Sequence, residues 1–139
     1  MNTKIIFVDG VDKTGKTTLI NLIHRKTNYK HIIIDRSIAT NYAYSCILRS
    51  IENNDYINIS RDLNKIKYIK FIYVTALYKD IVIRMKKHNE KDISFNDIIP
   101  LENKFEEFYK LCKIIPLLIN TSVMNKEKCV DYIISKLRL

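Results

Sequence analysis

FVDGVDKTGKTT, Phe7 to Thr18, holds the only two glycines of this 139-residue chain, Gly10 and Gly15. A chain that avoids glycine elsewhere and places two within six residues needs its backbone close to something at that point. The apolar run Ile5-Ile6-Phe7-Val8 leads in and reads as a buried strand over Lys4 to Asp9. Lys16 to about Lys26 follows, with Leu19, Ile20, Leu22 and Ile23 at helical spacing.

Between strand and helix, Gly10-Val11-Asp12-Lys13-Thr14-Gly15-Lys16-Thr17 fits G-x-x-x-x-G-K-[ST], the Walker A pattern. A loop wrapped around a phosphate chain aims several N–H groups inward and leaves no room for a Cβ at its glycines. The helix that starts near Lys16 adds unsatisfied donors and a positive dipole end. Lys16 suits the β and γ oxygens of ATP, and the Thr17 hydroxyl suits Mg²⁺. A chance match arises in roughly one chain in a few hundred of this length. The flanking strand and helix make chance a poor explanation. Gly10 to Thr18 are therefore the expected nucleotide-binding residues.

Further along, His31 to Asp35 reads as a second buried strand, and Ile38, Ala39, Tyr42, Ala43, Cys46, Ile47 and Ile51 as one helical face. Asn53-Asn54-Asp55 reads as that helix's end, with an irregular stretch to about Lys67. Ile69 to Val74 is a third strand, and a basic helix runs from about Tyr78 to His88. Pro100 suits the first turn of a helix carrying Leu101, Phe105, Phe108 and Cys112. Ile114 to Ile119 is a fourth strand, tolerating Pro116 only near an edge or a strand start. The last helix spans about Lys126 to Leu137. Strands alternating with helices predict an α/β protein: a P-loop NTPase-type, mainly parallel sheet of about four strands, flanked by helices. Ligands of such sheets bind at the carboxyl ends of the strands, where the glycine loop falls.

Composition sets the outer bounds. The length suits one domain over 1–139, and 47% hydrophobic content is enough for a core. The net charge of +9 favours anionic partners, nucleotides or nucleic acid among them. Cys46, Cys112 and Cys129 are odd in number, far apart and in no metal spacing, so they read as small core residues in a reducing compartment. His24, His31 and His88 are isolated and fit no metal site. No apolar run is long enough for a secretory h-region or a membrane span. A cytoplasmic protein with no membrane partner is the expectation.

A second motif lies in IIIDRS. Apolar strand residues ending in Asp35 form a Walker B arrangement, with Asp35 beside Thr17 as a second Mg²⁺ ligand, direct or through water. The fork of Arg36 suits bidentate grip of another phosphate group.

GVDKTGKTT resembles the phosphate loop of the thymidylate kinases, which carry an acid and then a basic residue where this chain has Asp12 and Lys13. DRSIATNYAY is similar to that family's D-R-[YS]-x-x-[ST]-x-x-A-Y segment, matching at Asp35, Arg36, Thr40, Ala43 and Tyr44. The later order of elements also agrees, so the resemblance spans most of the chain, specific in these two motifs and architectural beyond them. It implies that Asp12 faces the acceptor's sugar hydroxyl and Lys13 stabilises the transferring phosphoryl group. It further implies that Arg36 holds the acceptor monophosphate and Tyr44 lines its pocket. Arg84, Lys86 and Lys87 fall in the segment matching the family's mobile lid, with Arg84 its expected cation. Asn120, Thr121 and Ser122 fall at the adenine-side loop, and Asp9 at an acidic position on the first strand's tip. The family also places a strand-and-helix unit before the D-R strand, where this chain has only Thr18 to Ile34. The base pocket must then be completed from elsewhere, a partner subunit of a homodimer being one source.

The expected activity is ATP- and Mg²⁺-dependent phosphoryl transfer to a (deoxy)nucleoside 5′-monophosphate. Lys13, Lys16, Arg36 and Arg84 are its catalytic residues, Asp12, Arg36 and Tyr44 bind the acceptor, and Thr17 and Asp35 hold the metal. Two alternatives stay open. One is a P-loop kinase acting on a nucleoside or polynucleotide 5′-hydroxyl, with Asp9 or Asp35 as the carboxylate. The other is a non-catalytic nucleotide-binding module without an acceptor pocket. Lys65, Lys67 and Lys70 are able to track a nucleic-acid backbone, although a scattered basic face is the commoner arrangement.

Overall fold

The computed structural model describes residues 2–139. Strands β1 (Ile5–Asp9), β2 (Ile32–Asp35), β3 (Ile69–Thr75) and β4 (Leu117–Asn120) form one sheet in the order β2–β1–β3–β4. Every neighbouring pair is parallel. The helices are α1 (Lys16–Lys26), α2 (Ile38–Leu48), α3 (Asn54–Asn64), α4 (Tyr78–Lys87), α5 (Ile98–Cys112) and α6 (Lys126–Leu137), with a 3-10 turn at Phe95–Asp97 before α5.

The period-two geometry of the central strands divides the core in two. Ile6 and Val8 of β1 and Ile72 and Val74 of β3 pack with Leu19, Ile23, Cys129 and Ile133 of α1 and α6. Residues of the opposite parity face the other helices: Phe7 stacks on Phe71 at 5.3 Å, and Tyr73 meets Phe105 at 5.4 Å. Phe105 and Phe108 of α5 are fully buried there, and burial of each such side chain stabilises the fold by about 1.5–3 kcal/mol. The result is three layers, helix, sheet and helix.

Four sequence expectations change. Residues 54–64 are a helix rather than an irregular stretch, and Asn53 starts it by accepting the Asp55 N–H at 2.9 Å. Helix α2 stops at Leu48, leaving Ile51 55% exposed beyond it. β2 lies at the sheet edge, where Ile32 is 54% and Ile34 36% exposed, so it is not a buried strand. β4 begins at Leu117, and Pro116 precedes it, the strand start where a missing N–H is tolerated. Of the cysteines, Cys112 and Cys129 are buried and Cys46 is half-buried.

Candidate active site

The glycine loop leaves the carboxyl end of β1 and is shaped first by its own fold. Gly10 has φ +154°, and a Cβ there would stand 2.1 Å from the Val74 carbonyl oxygen of β3. Gly15, the N-cap of α1, has φ +97°, and a Cβ there would meet only Thr121 at ordinary distance. Close passage of a neighbouring strand thus fixes the first glycine and backbone conformation the second. Glycine is required at both positions by the fold itself, before any ligand arrives. Lys13 is also left-handed, at φ +66°.

The loop's carbonyls are taken by the protein. Lys16 Nζ donates to the carbonyls of Gly10 (2.9 Å) and Val11 (3.0 Å), and Thr14 Oγ1 donates to Val11 (2.9 Å). Arg84 Nη1 donates to the Lys13 carbonyl at 3.0 Å, and Thr121 Oγ1 to that of Thr14 at 2.6 Å. Most of its amides are not taken, the Asp12 N–H being the one given to a side chain, Tyr44 Oη. Among the described residues, the N–H groups of Lys13 and Gly15 have no acceptor, and those of Lys16, Thr17 and Thr18 belong to the unpaired first turn of α1.

These groups border a cavity of about 640 Å³ at the carboxyl ends of the strands. Lys13, Lys16, Arg36, Arg84, Lys87 and Lys126 line it, against three carboxylates, Asp12, Asp35 and Glu90. Burial lowers the Lys16 pKa, while Asp12 and Asp35 oppose that shift. An anion in the cavity would restore what this ammonium loses by leaving water. Thr17 and Asp35 both line the cavity. A hydroxyl and a carboxylate are the hard oxygen donors that Mg²⁺ accepts in small number beside phosphate, so the residues fit that ion.

On the cavity wall Arg36 Nη2 lies 2.7 Å from the buried Asp12 Oδ1. Behind it Tyr44, which does not line the cavity, accepts the Asp12 N–H on Oη at 3.3 Å and packs edge-on against Phe105. Burial raises the Tyr44 pKa, keeping the hydroxyl protonated. Asp12 from the glycine loop and Arg36 and Tyr44 from the second motif thus form one group. Arg36 sits at φ +61° and turns the chain from β2 toward α2.

Asp9 does not join them. It is fully buried and takes four hydrogen bonds of 2.5–3.2 Å from the N–H and hydroxyl groups of Ser37 and Thr40. Ser37 is the N-cap of α2, so Asp9 caps that helix from the neighbouring strand and is no base for an acceptor. Of the basic cluster on α4, Arg84 and Lys87 line the cavity, whereas Lys86 lies over the Phe95 ring at 5.6 Å. Of the segment Asn120 to Ser122, only Thr121 lines the cavity. Sequence reasoning missed Glu90, which lies 3.7 Å from Lys13 Nζ, and Lys126, at the start of α6. Neither belongs to a local motif, and only the crossovers bring them in.

No protein-family model matches the chain, and no curated protein matches it in sequence. Solved structures do. The YorR protein of Bacillus subtilis, in complex with phosphorylated GDP, superposes with a TM-score of 0.81 at 17% identity, over 98% of this chain and 96% of that one. Deoxyadenosine kinase from M. mycoides with bound dATP gives 0.62 at 16% identity, over 97% and 100%. The same kinase with dCMP and a flexible dCDP gives 0.61 at 17%, over 96% and 98%. The chain therefore has the P-loop fold found in a nucleoside kinase, over nearly all of the described residues. No helix among the described residues is long and apolar enough to cross a membrane.

Proposed function

We propose that residues 1–139 form one Mg²⁺- and ATP-dependent kinase domain of thymidylate-kinase type, phosphorylating a (deoxy)nucleoside 5′-monophosphate. The observation that carries this reading is the set of acceptor-free N–H groups, of Lys13 and of Gly15 to Thr18, around a cavity that also holds buried Lys16. Such a cradle suits the phosphates of ATP. Lys16 exchanges the Gly10 and Val11 carbonyls for phosphate oxygens. Arg36 keeps N–H donors beyond the one given to Asp12, enough to hold a second phosphate across the cavity. Asp12 flanks that place for the acceptor's sugar, with Tyr44 holding it from behind. Lys13 and Arg84 add positive charge where the phosphoryl group passes.

A bound Mg²⁺, held by Thr17 and Asp35, supplies charge neutralisation at the phosphates. The acceptor oxygen of a monophosphate is already ionised at neutral pH. Alignment and cations then suffice, and no strong base is required.

A nucleoside acceptor is the second reading. A deoxyadenosine kinase shares the fold, and the Asp12 and Asp35 carboxylates line the cavity as bases for a hydroxyl. Incubation with Mg-ATP and separate nucleoside monophosphates, nucleosides and 5′-hydroxyl oligonucleotides distinguishes them by the acceptor that gains phosphate. Diphosphate products from monophosphates are expected. Lys16→Ala should lower turnover by about 10²–10³ with the fold retained. Arg36→Ala should raise the acceptor KM by roughly tenfold or more and leave that of ATP nearly unchanged. ATP binding without turnover of any acceptor would reduce the protein to a nucleotide-binding module.

A further inference from the structure

A second basic concavity lies at the opposite end of the sheet, where the strands begin. β3 enters there through Ile69 and Lys70, β4 through Pro116 and Leu117, and α6 ends there at Leu137. The groove between them has a volume of about 440 Å³. Lys67, Lys70 and Lys136 line it, and no carboxylate does. The phosphate cavity is different in kind, since three carboxylates offset its cations.

The lysines divide by what they touch. Lys65, their neighbour in sequence, pairs with Asp62 at 3.3 Å and is not among the groove's lining. Lys4 gives its ammonium to the carbonyls of Leu137 and Arg138, and so serves the end of α6. Lys67 and Lys70 have neither an ion pair nor a hydrogen-bonded side-chain partner among the described residues. Lys136 has only the Tyr132 ring, at 5.6 Å. Lys70 is half-buried, its stem covered by the groove it lines. Burial, followed by repulsion from Lys70, Lys30 and Arg138, lowers the Lys4 pKa, which marks this end as an unbalanced positive region.

We propose that this groove binds the phosphate backbone of a single-stranded nucleic acid. Three ammonium groups lining one groove with no carboxylate among them match a chain of phosphates more closely than one small anion. Pro116 and the 97% exposed Ile115 line the same groove and give it apolar faces beside the lysines. Such faces pack on bases without reading their sequence. Lys70 lies on β3 and Lys136 on α6, so the charge is spread over two elements of the groove. The inference is independent of the activity proposed above, because no residue is shared between the two cavities.

The test uses the full chain and a labelled oligothymidylate of about 20 nucleotides, with binding followed by anisotropy over a series of salt concentrations in saturating Mg-ATP. The triple variant Lys67→Gln/Lys70→Gln/Lys136→Gln should lose about tenfold or more in affinity. Its slope of log K against log salt should fall by about 2, close to 0.7 for each phosphate contact. Lys79→Gln/Lys91→Gln/Lys110→Gln removes the same charge elsewhere and should retain most of the affinity. ATP binding and the melting temperature of each variant confirm its fold, and Lys67→Glu alone is the substitute if the triple variant melts early. The proposal would be overturned by no binding of the wild type in Mg-ATP, equal loss in both triple variants, or an unchanged groove variant. Vesicles containing phosphatidylserine are the last arm, and groove-dependent binding to them in preference to the oligonucleotide would equally refute it.

Discussion

At the end of β1 the Asp9 carboxylate takes four hydrogen bonds from Ser37 and Thr40 in a fully buried site. Burial raises its pKa above 3.8, and the hydrogen bonds oppose that shift without reversing it. The folded chain therefore holds this proton more tightly than the unfolded chain does. The stability linked to Asp9 is fully present below the ordinary carboxylate pKa and is lost as pH rises through the folded value. Asp9→Asn keeps an acceptor for both amides and removes the titration. Urea unfolding between about pH 4 and 7 should show a shallower fall of stability with pH in this variant than in the wild type. Asp9→Ala should instead lower stability by about 2–4 kcal/mol, since the Ser37 and Thr40 amides lose their acceptor inside the protein. A parallel pH dependence in wild type and Asp9→Asn would show that Asp9 does not titrate across this range. The same residue illustrates what a motif hides: a strand-tip acid beside a phosphate loop reads as chemistry, and only the packing of α2 shows it to be a cap.

Helices in this chain end without glycine. Lys113 at the end of α5 and Arg138 at the end of α6 adopt left-handed conformations, at φ +56° and +53°. At α5 the Ile114 N–H reaches back to the Tyr109 carbonyl at 3.0 Å, the return bond that a left-handed terminal residue permits. A side chain in that conformation costs roughly 1–2 kcal/mol, part of which glycine would give back through unfolded-state entropy. Lys113→Gly should therefore raise stability by about 0.5–1 kcal/mol, seen as a melting temperature higher by a few degrees. An unchanged or lower value would mean that the lysine stem contributes packing that offsets the strain. The missing glycines also explain which elements were hard to read. α3 begins at Asn53-Asn54-Asp55, residues that break a helix as readily as they start one, and buries only Ile57 and Ser60. The apolar residues of β2 suggested two covered faces, yet the sheet stops there and Ile32 is left largely in solvent. The strands β1 and β3 and the helices α1 and α6 were legible because each carries a repeated apolar face that the core uses.

Across the whole molecule, one side chain joins the glycine loop to the last strand. Thr121 follows β4, donates its N–H to the Thr75 carbonyl at the end of β3 (2.9 Å), and gives its hydroxyl to the Thr14 carbonyl (2.6 Å). Arg84 of α4 reaches the same hydroxyl at 3.3 Å and the Lys13 carbonyl at 3.0 Å. Two carbonyls of the loop are thereby drawn toward β4 and α4, and the Lys13 and Gly15 amides are left to the cavity. The sequence shows Gly10 to Thr18 plainly, because one contiguous segment makes the cradle. It does not show the brace, because Arg84 and Thr121 arrive from crossovers 71 and 107 residues beyond their loop partners. Thr121→Val has nearly the same shape and removes only the hydroxyl. It leaves the Thr14 carbonyl without its donor and Arg84 with one partner fewer. A single hydrogen bond of this kind contributes about 0.5–1.5 kcal/mol, so ADP affinity measured by calorimetry should weaken by roughly three- to tenfold. Thr121→Ser should restore it, while both variants melt within a few degrees of the wild type. If the loop holds its shape without the brace, Thr121→Val will bind ADP as the wild type does, and the order of the cradle must then come from Lys16 and Thr14 alone.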